Sequence, residues 1–363
     1  MRSRPLILAA TLTAALAATL LGPTGPVRAA TADKWGFAFV DNPAASVWTV
    51  LDPTRQWGSW KSTFPALSAE GMKLAPGRFL VRFPQVGTGS RGNVQVTAVN
   101  RTGHYCEIVR WYQTGVDEIV DVQCHRPFGG RDDSQFTVLW TLNSGILPAG
   151  QGSYASVQYG PASIVQAYNS TGGSVTVTPG GGGYQVRLTG VGGAATLTGN
   201  VQVTAVSPNA NPRRCKVENW AAAALDVNVR VVCYDQAGAV VPSEFTLSYH
   251  RERAVFASLG PPKYFGYVWS AGAGATNFNY PNGIGFNSIV ATAPAGRYDV
   301  RYPTLGIRET HAQVTAYGTG PNYCHLTQPW TFVGPDALVD HLCFDNTGTP
   351  QPYRFLSTFT SRV

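Results

Sequence analysis

Along most of the chain apolar and polar residues alternate one by one. Val94, Val96 and Ala98 are separated by Gln95 and Thr97, and Val201 to Ala205 and Ala312 to Ala316 read the same way. Tyr184 to Leu188 keeps this period, as do Val227, Val229, Val231 and Cys233, with Asp226, Asn228 and Arg230 between them. A period of two sends successive side chains to opposite faces of a strand, so these segments are predicted to be half-buried strands. No segment beyond the first thirty residues shows a convincing helical period, which argues against a helical core.

The alternation returns at a fixed interval. Cys106, Cys215 and Cys324 lie 109 residues apart, and Cys124, Cys233 and Cys343 lie 109 and 110 apart. Gln-Val-Thr-Ala recurs at 95 to 98, 202 to 205 and 313 to 316. Upstream of it stand Phe79-Leu80-Val81-Arg82-Phe83-Pro84, Tyr184-Gln185-Val186-Arg187-Leu188 and Tyr298-Asp299-Val300-Arg301-Tyr302-Pro303. Gly129, Gly238 and Gly348 fall 5 residues after the second Cys of each unit, and Phe136, Phe245 and Phe355 fall 12 after it. The chain is therefore a tandem triplicate, and a unit of this length can bury a core of its own. The fold class predicted is all-β: three tandem sandwich or jelly-roll-like domains, each of seven or eight short strands. They span residues 31–145, 146–258 and 259–363, with boundaries near Thr141 to Gly152 and Ala257 to Lys263. Domains strung like beads are the leading arrangement, and a fused pseudo-trimer about a threefold axis is the alternative.

Residues 1–30 read as a leader. Arg2 and Arg4 precede an apolar run from Pro5 to Leu21, which ends in Gly22, Pro23, Pro26 and the small-residue site Val27-Arg28-Ala29-Ala30. A membrane anchor would use the same apolar run, but the small-residue end favours an exported, cleaved chain that does not span a membrane. Composition agrees: of 363 residues 44% are hydrophobic and 13% charged, which excludes a wholly disordered chain. Cleavage lowers Lys plus Arg from 27 to 24 against 20 acids, so the net charge of +7 becomes +4. With no Lys/Arg run, nucleic acid and anionic membranes are not expected partners.

In an exported chain the Cys ruler predicts one disulfide per unit: Cys106–Cys124, Cys215–Cys233 and Cys324–Cys343. Cys106 facing Cys124 sets Ile108 opposite Val122 and Arg110 opposite Val120, around a turn near Gly115, and Val217 then faces Val231. The alternatives are buried thiols or thiolate metal sites, but CxxC-like clusters are absent, so no metal or other cofactor is expected.

Between its two Cys each unit carries Trp-x5-Asp: Trp111 and Asp117, Trp220 and Asp226, Trp330 and Asp336. Such a pair suits a sugar, with the ring under a pyranose face and the carboxylate accepting hydroxyls. The plainer reading packs the Trp and lets the Asp bond turn amides. Arg82, Arg187 and Arg301 recur on the polar strand face, as a repeated carboxylate grip, a ladder with the neighbouring Gln and Thr, or solvated ion pairs. The glycine five residues after each second Cys reads as turn chemistry. His104, His125, His250, His311, His325 and His341 occupy six different repeat positions, so a triplicated His site is excluded. Val268-Trp269-Ser270-Ala271-Gly272 lacks the first glycine of a nucleophile elbow, and Gly180 to Gly183 precedes no helix.

The pattern GxYxVRxP, GNVQVTA, Cys, Trp-x5-Asp, VxVxC and a glycine turn resembles tandem-repeat secreted β-domain proteins of actinomycete-type bacteria, a group of unknown function. The resemblance covers about Trp35 to Phe359, and implies export and a repeated β unit but no activity or site. The second unit departs from it, with Leu188-Thr189 for aromatic-Pro and Ala at 221 to 224. The function expected is that of a secreted, non-catalytic binding or structural protein whose partner is a polysaccharide, the cell envelope or another protein. The competing expectation is an extracellular hydrolase with its site in one repeat, built from Asp132, Asp133 and His125 in the first or His325 and His341 in the third.

Overall fold

The structure, a computed structural model, describes residues 33–362 other than 90, 148–149, 194–197, 210, 257–263 and 272–275. The leader over 1–30 and the second boundary, Ala257 to Lys263, lie outside the described residues. The fold is all-β, three tandem β units with one disulfide each, and its strands gather into three nine-stranded sheets. Among the described residues no helix is long and apolar enough to cross a membrane.

Each sheet is built from two repeats. Strands Arg297–Tyr302, Asp336–Phe344 and Tyr323–Leu326 of the third repeat continue into Asn93–Val99, Gln135–Leu142 and Lys34–Val40 of the first. Ser153–Tyr159, Glu244–Arg251 and Asn200–Val206 of the second continue into Tyr105–Thr114, Asp117–His125 and Arg78–Phe83 of the first. Gly183–Leu188, Asp226–Tyr234 and Arg214–Ala223 of the second continue into Thr310–Tyr317, Arg354–Ser361 and Phe265–Trp269 of the third. The three junctions are parallel and equivalent, pairing Leu326 with Val99, Val206 with Ile108 and Val217 with Tyr317. One further amide bond follows each: Asn100 N to Leu326 O, Ser207 N to Ile108 O and Gly318 N to Val217 O, at 2.8, 2.8 and 2.9 Å. Every repeat thus packs two half-sheets over its own apolar core, and each half-sheet runs on into a neighbour. The cycle closes, so the units are not beads but one compact body.

The three Gln-Val-Thr-Ala strands meet where the cycle closes, and they are buried along both faces, not half-buried. Their apolar residues (Val94 and Val96, Val201 and Val203, Ala312 and Val314) fill the three cores. Their polar residues turn to the pseudo-threefold axis. Amides of Val96, Val203 and Val314 donate to the Oγ1 atoms of Thr204, Thr315 and Thr97, at 3.1, 3.0 and 3.3 Å. Thr204 and Thr315 in turn donate to Gln95 and Gln202 Oε1, at 2.8 and 3.0 Å. Each such bond is worth about 1 kcal/mol net, while a partner left unpaired there would cost about 1–3 kcal/mol.

The glycine turns close the same end of the ring. Gly129, Gly238 and Gly348 have φ of +86°, +83° and +83°. A Cβ there would stand 2.1 Å from Gln236, 2.9 Å from Asn346 and 2.3 Å from Pro127, each in the next repeat of the cycle. Both the backbone and the close approach exclude a side chain.

All three disulfides form as the spacing predicts, each across one hairpin, and no described cysteine is free. Closing a loop of 18 or 19 residues contributes about 3 kcal/mol in the chain-entropy account. Cys106 faces Cys124, Ile108 faces Val122 and Val217 faces Val231. The expected pairing of Arg110 with Val120 does not occur, because a bulge shifts the register after Ile108. Arg110 then faces Asp121 and Trp111 faces Val120, and the second hairpin carries the same bulge after Val217. One extra residue reverses the side-chain parity, and that turns the tryptophan from the outer face into the core.

Candidate functional site

The structure places the three Trp-x5-Asp pairs as architecture. Trp111, Trp220 and Trp330 are 8%, 6% and 1% exposed and sit in the three cores, so none offers a ring face to solvent. Trp330 Nε1 donates to Thr310 Oγ1 at 2.7 Å, and Trp220 packs edge-on to Trp269 with ring centroids 5.8 Å apart. The carboxylates of Asp117, Asp226 and Asp336 accept the amides of Gln85, Gly190 and Thr304 at 3.0, 3.0 and 2.9 Å. Those three residues have φ of +59°, +80° and +60°, so each Asp secures a left-handed turn beside the hairpin.

The repeated arginines meet carboxylates rather than the Gln and Thr of the neighbouring strand. Arg187 binds Asp226 at 2.6 Å, Arg301 binds Asp336, and Arg82 instead binds Glu70 and lies 4.7 Å over the Trp48 ring. The Arg187 guanidinium holds the Asp226 carboxyl below its usual range, and the Thr304 amide does the same for Asp336 with Arg301 adding to it. These are partly exposed pairs of small energetic weight.

The residues set out for a one-repeat hydrolase are engaged elsewhere. His125 Nε2 meets Glu107 Oε1 at 3.0 Å, with both groups fully enclosed. Asp133 binds Lys73 and the Gly77 amide, and Asp132 stands 3.7 Å from His104. His341 Nε2 reaches Ser357 Oγ at 2.8 Å, a base beside a hydroxyl, but Ser357 also accepts from Tyr302, both side chains are buried, and the His341 ring stacks on Phe355. Burial pushes His250, His311 and His325 down to about 3 and His341 to about 4, so these rings are neutral near pH 7. No group of three or more His, Cys, Asp or Glu among the described residues is placed to hold a metal ion.

A second constellation sits on the axis, just beyond the threonine ring, at positions that flank the first Cys of each unit. A cavity of about 60 Å³ is lined there by Tyr105, Arg214 and Tyr323, which precede the three cysteines, and by Lys216 and His325, which follow two of them. The Arg214 guanidinium lies 4.9 and 4.5 Å over the Tyr105 and Tyr323 rings, while Nη2 donates to the Asp235 carbonyl and to Asn346 Oδ1. Lys216 Nζ donates to Gly320 O, Asn322 O and Tyr353 Oη at 2.8, 3.2 and 2.7 Å, and burial pushes it down to about 7. Of these, the sequence singles out His325 alone, as part of a one-repeat hydrolase; the others do not recur in all three units and so carry no interval signal. The signal was present all the same: two different chemistries, Tyr and Arg, at one position beside a cysteine that every unit keeps. Comparison with protein-family models, with curated proteins and with solved structures finds no match to the chain.

Proposed function

We propose that the chain is a secreted, non-catalytic binding or structural protein, a rigid threefold module that engages a polysaccharide or another component of the cell envelope. The observation that carries this reading is that the residues common to all three repeats are consumed in holding the fold. The cysteines are bonded, the tryptophans buried, the aspartates fixed on turn amides, and the three Thr with Gln95 and Gln202 locked at the axis. Three disulfides in one chain fit an oxidising compartment. For a polysaccharide, support comes from a groove of about 400 Å³ in the first repeat, where the half-buried Trp57 and the exposed Phe64 lie beside Asp33, Lys34 and Gln85. An aromatic floor with a few polar groups is the usual make-up of a sugar site. The half-buried Trp57 ring is central to it, with Arg362 at 4.6 Å and Lys61 at 5.4 Å. The test is retention of the mature protein on insoluble polysaccharides and on cell-wall preparations. Trp57→Ala should weaken retention several-fold with little change in melting temperature, and no retention of the unaltered protein would overturn the polysaccharide reading.

A further inference from the structure

We propose that the axial cavity is a binding site for a small oxyanion, held by Arg214 and Tyr105 where the three repeats converge. Arg214 is 8% exposed, yet it makes no ion pair among the described residues, and no Asp or Glu lines the cavity. The nearby carboxylates are occupied: Glu107 by Gln123, His125 and the Arg213 amide, and Glu218 by Arg230. An enclosed cation without a counter-charge is costly, and this one is fixed in place on two tyrosine rings rather than left to swing to solvent.

The unsatisfied groups point to the same chemistry. Arg214 Nε and Nη1, Tyr105 Oη and His325 Nε2 are all buried, have no protein partner, and belong to residues that line this one cavity. The arginine and the tyrosine offer O–H and N–H donors to an anionic oxygen. His325 Nδ1 donates to the Leu326 carbonyl at 3.0 Å, so Nε2 carries the lone pair and accepts the O–H of a hydrogen-bearing oxyanion such as hydrogen phosphate. Because one water needs roughly 10–15 Å³ of such space, the volume suits one small oxyanion. Guanidinium is the side chain best matched to such a group.

The test is thermal unfolding and calorimetry of the full mature protein, dialysed free of phosphate, titrated with sodium phosphate, sodium sulfate and sodium chloride at matched ionic strength. Phosphate should raise the melting temperature saturably, with sulfate, which has no O–H for His325 Nε2, weaker and chloride well behind. Tyr105→Phe keeps the ring under Arg214 and removes one donor, so it should weaken binding about tenfold; Arg214→Gln should abolish it. Should Arg214→Gln fail to fold, Tyr105→Phe decides. Crystals grown with arsenate, which carries an O–H as hydrogen phosphate does, should show an anomalous peak within hydrogen-bond distance of Arg214 Nη1. Equal shifts in all three salts, or an unchanged oxyanion response in Tyr105→Phe, would overturn the proposal, as would arsenate crystals with no axial peak.

Discussion

Each disulfide hairpin has two ends that differ in kind. At the tip the same arrangement is built three times: a core tryptophan, and an aspartate across the turn that holds a neighbouring loop by its amide. At the cysteine end, on the axis, the three hairpins present Tyr105, Arg214 and Tyr323 before the cysteine and Glu107, Lys216 and His325 after it. Three copies of one tip can each serve one sandwich. On a threefold axis the three copies occupy one space, and three identical charged groups there would repel or clash, so the symmetry must break. What repeats in this chain, the glutamines, threonines and glycines where the copies meet included, is architecture, and the charged and aromatic groups beside the first cysteines are where the copies differ.

The strongest way to break that comparison is to remove the neighbours. The second repeat alone, residues 146–258, loses its partners at Val206 and Val217 and bares Gln202 and Thr204. It should show no cooperative melt by circular dichroism, and a sharp transition like that of the whole chain would mean that the shared sheets contribute little.

Acid should act next most strongly. His250, His311, His325 and His341 bind a proton only near 3 to 4 in the fold but near 6.5 when unfolded. The unfolded chain takes up more protons across that window, so stability is complete above about pH 6.5 and falls as pH drops toward 4. Each ring contributes about 1.4 kcal/mol per pH unit there. Glu118, pushed up by burial to about 8, acts with the opposite sign and offsets about one ring's share over this window. Denaturant midpoints should decline below about pH 6, and His341→Gln should flatten the decline by about a third; a midpoint constant down to about pH 5 would contradict this.

At the tips the effect of truncation should be equal in all three units. Trp111→Ala, Trp220→Ala and Trp330→Ala should each cost about 3–5 kcal/mol, read from chemical denaturation. A variant that lost ligand retention at unchanged stability would make the tip a site after all.

The smallest effect isolates one irregular tip. Ala224 stands at φ +53° where the other hairpins have Gly115 and Gly334 at +61° and +58°. Ala224→Gly should raise stability by about 0.5–1 kcal/mol, because the left-handed conformation is strained for any residue with a Cβ. Gly115→Ala should lower stability by a similar amount, and thermal melts of the pair check the sign.

Much of this was legible in one dimension. Alternation marks strands, the Cys interval marks the repeat, and pairing Cys106 with Cys124 carries the register as far as Ile108. There it stops, because a bulge leaves no mark in the pattern: the unbroken register sets Arg110 opposite Val120, whereas Arg110 faces Asp121 and Trp111 enters the core. The axial strands misled for a related reason. Gln95, Thr97 and their counterparts have the polar alternation of a solvated face, and a polar face reads the same whether it meets water or two other polar faces.

By itself, then, the sequence determined the β class, the three units, their disulfides and the glycine turns, since each of these depends on residues close together in the chain or on a strict interval. Tertiary structure alone decided that the units share their sheets, that the three Thr close a ring, and that Arg214 ends enclosed between two tyrosines with no carboxylate paired to it. Those facts join residues about a hundred positions apart, and nothing in local propensity or periodicity records which distant polar face, or which distant ring, a side chain will meet.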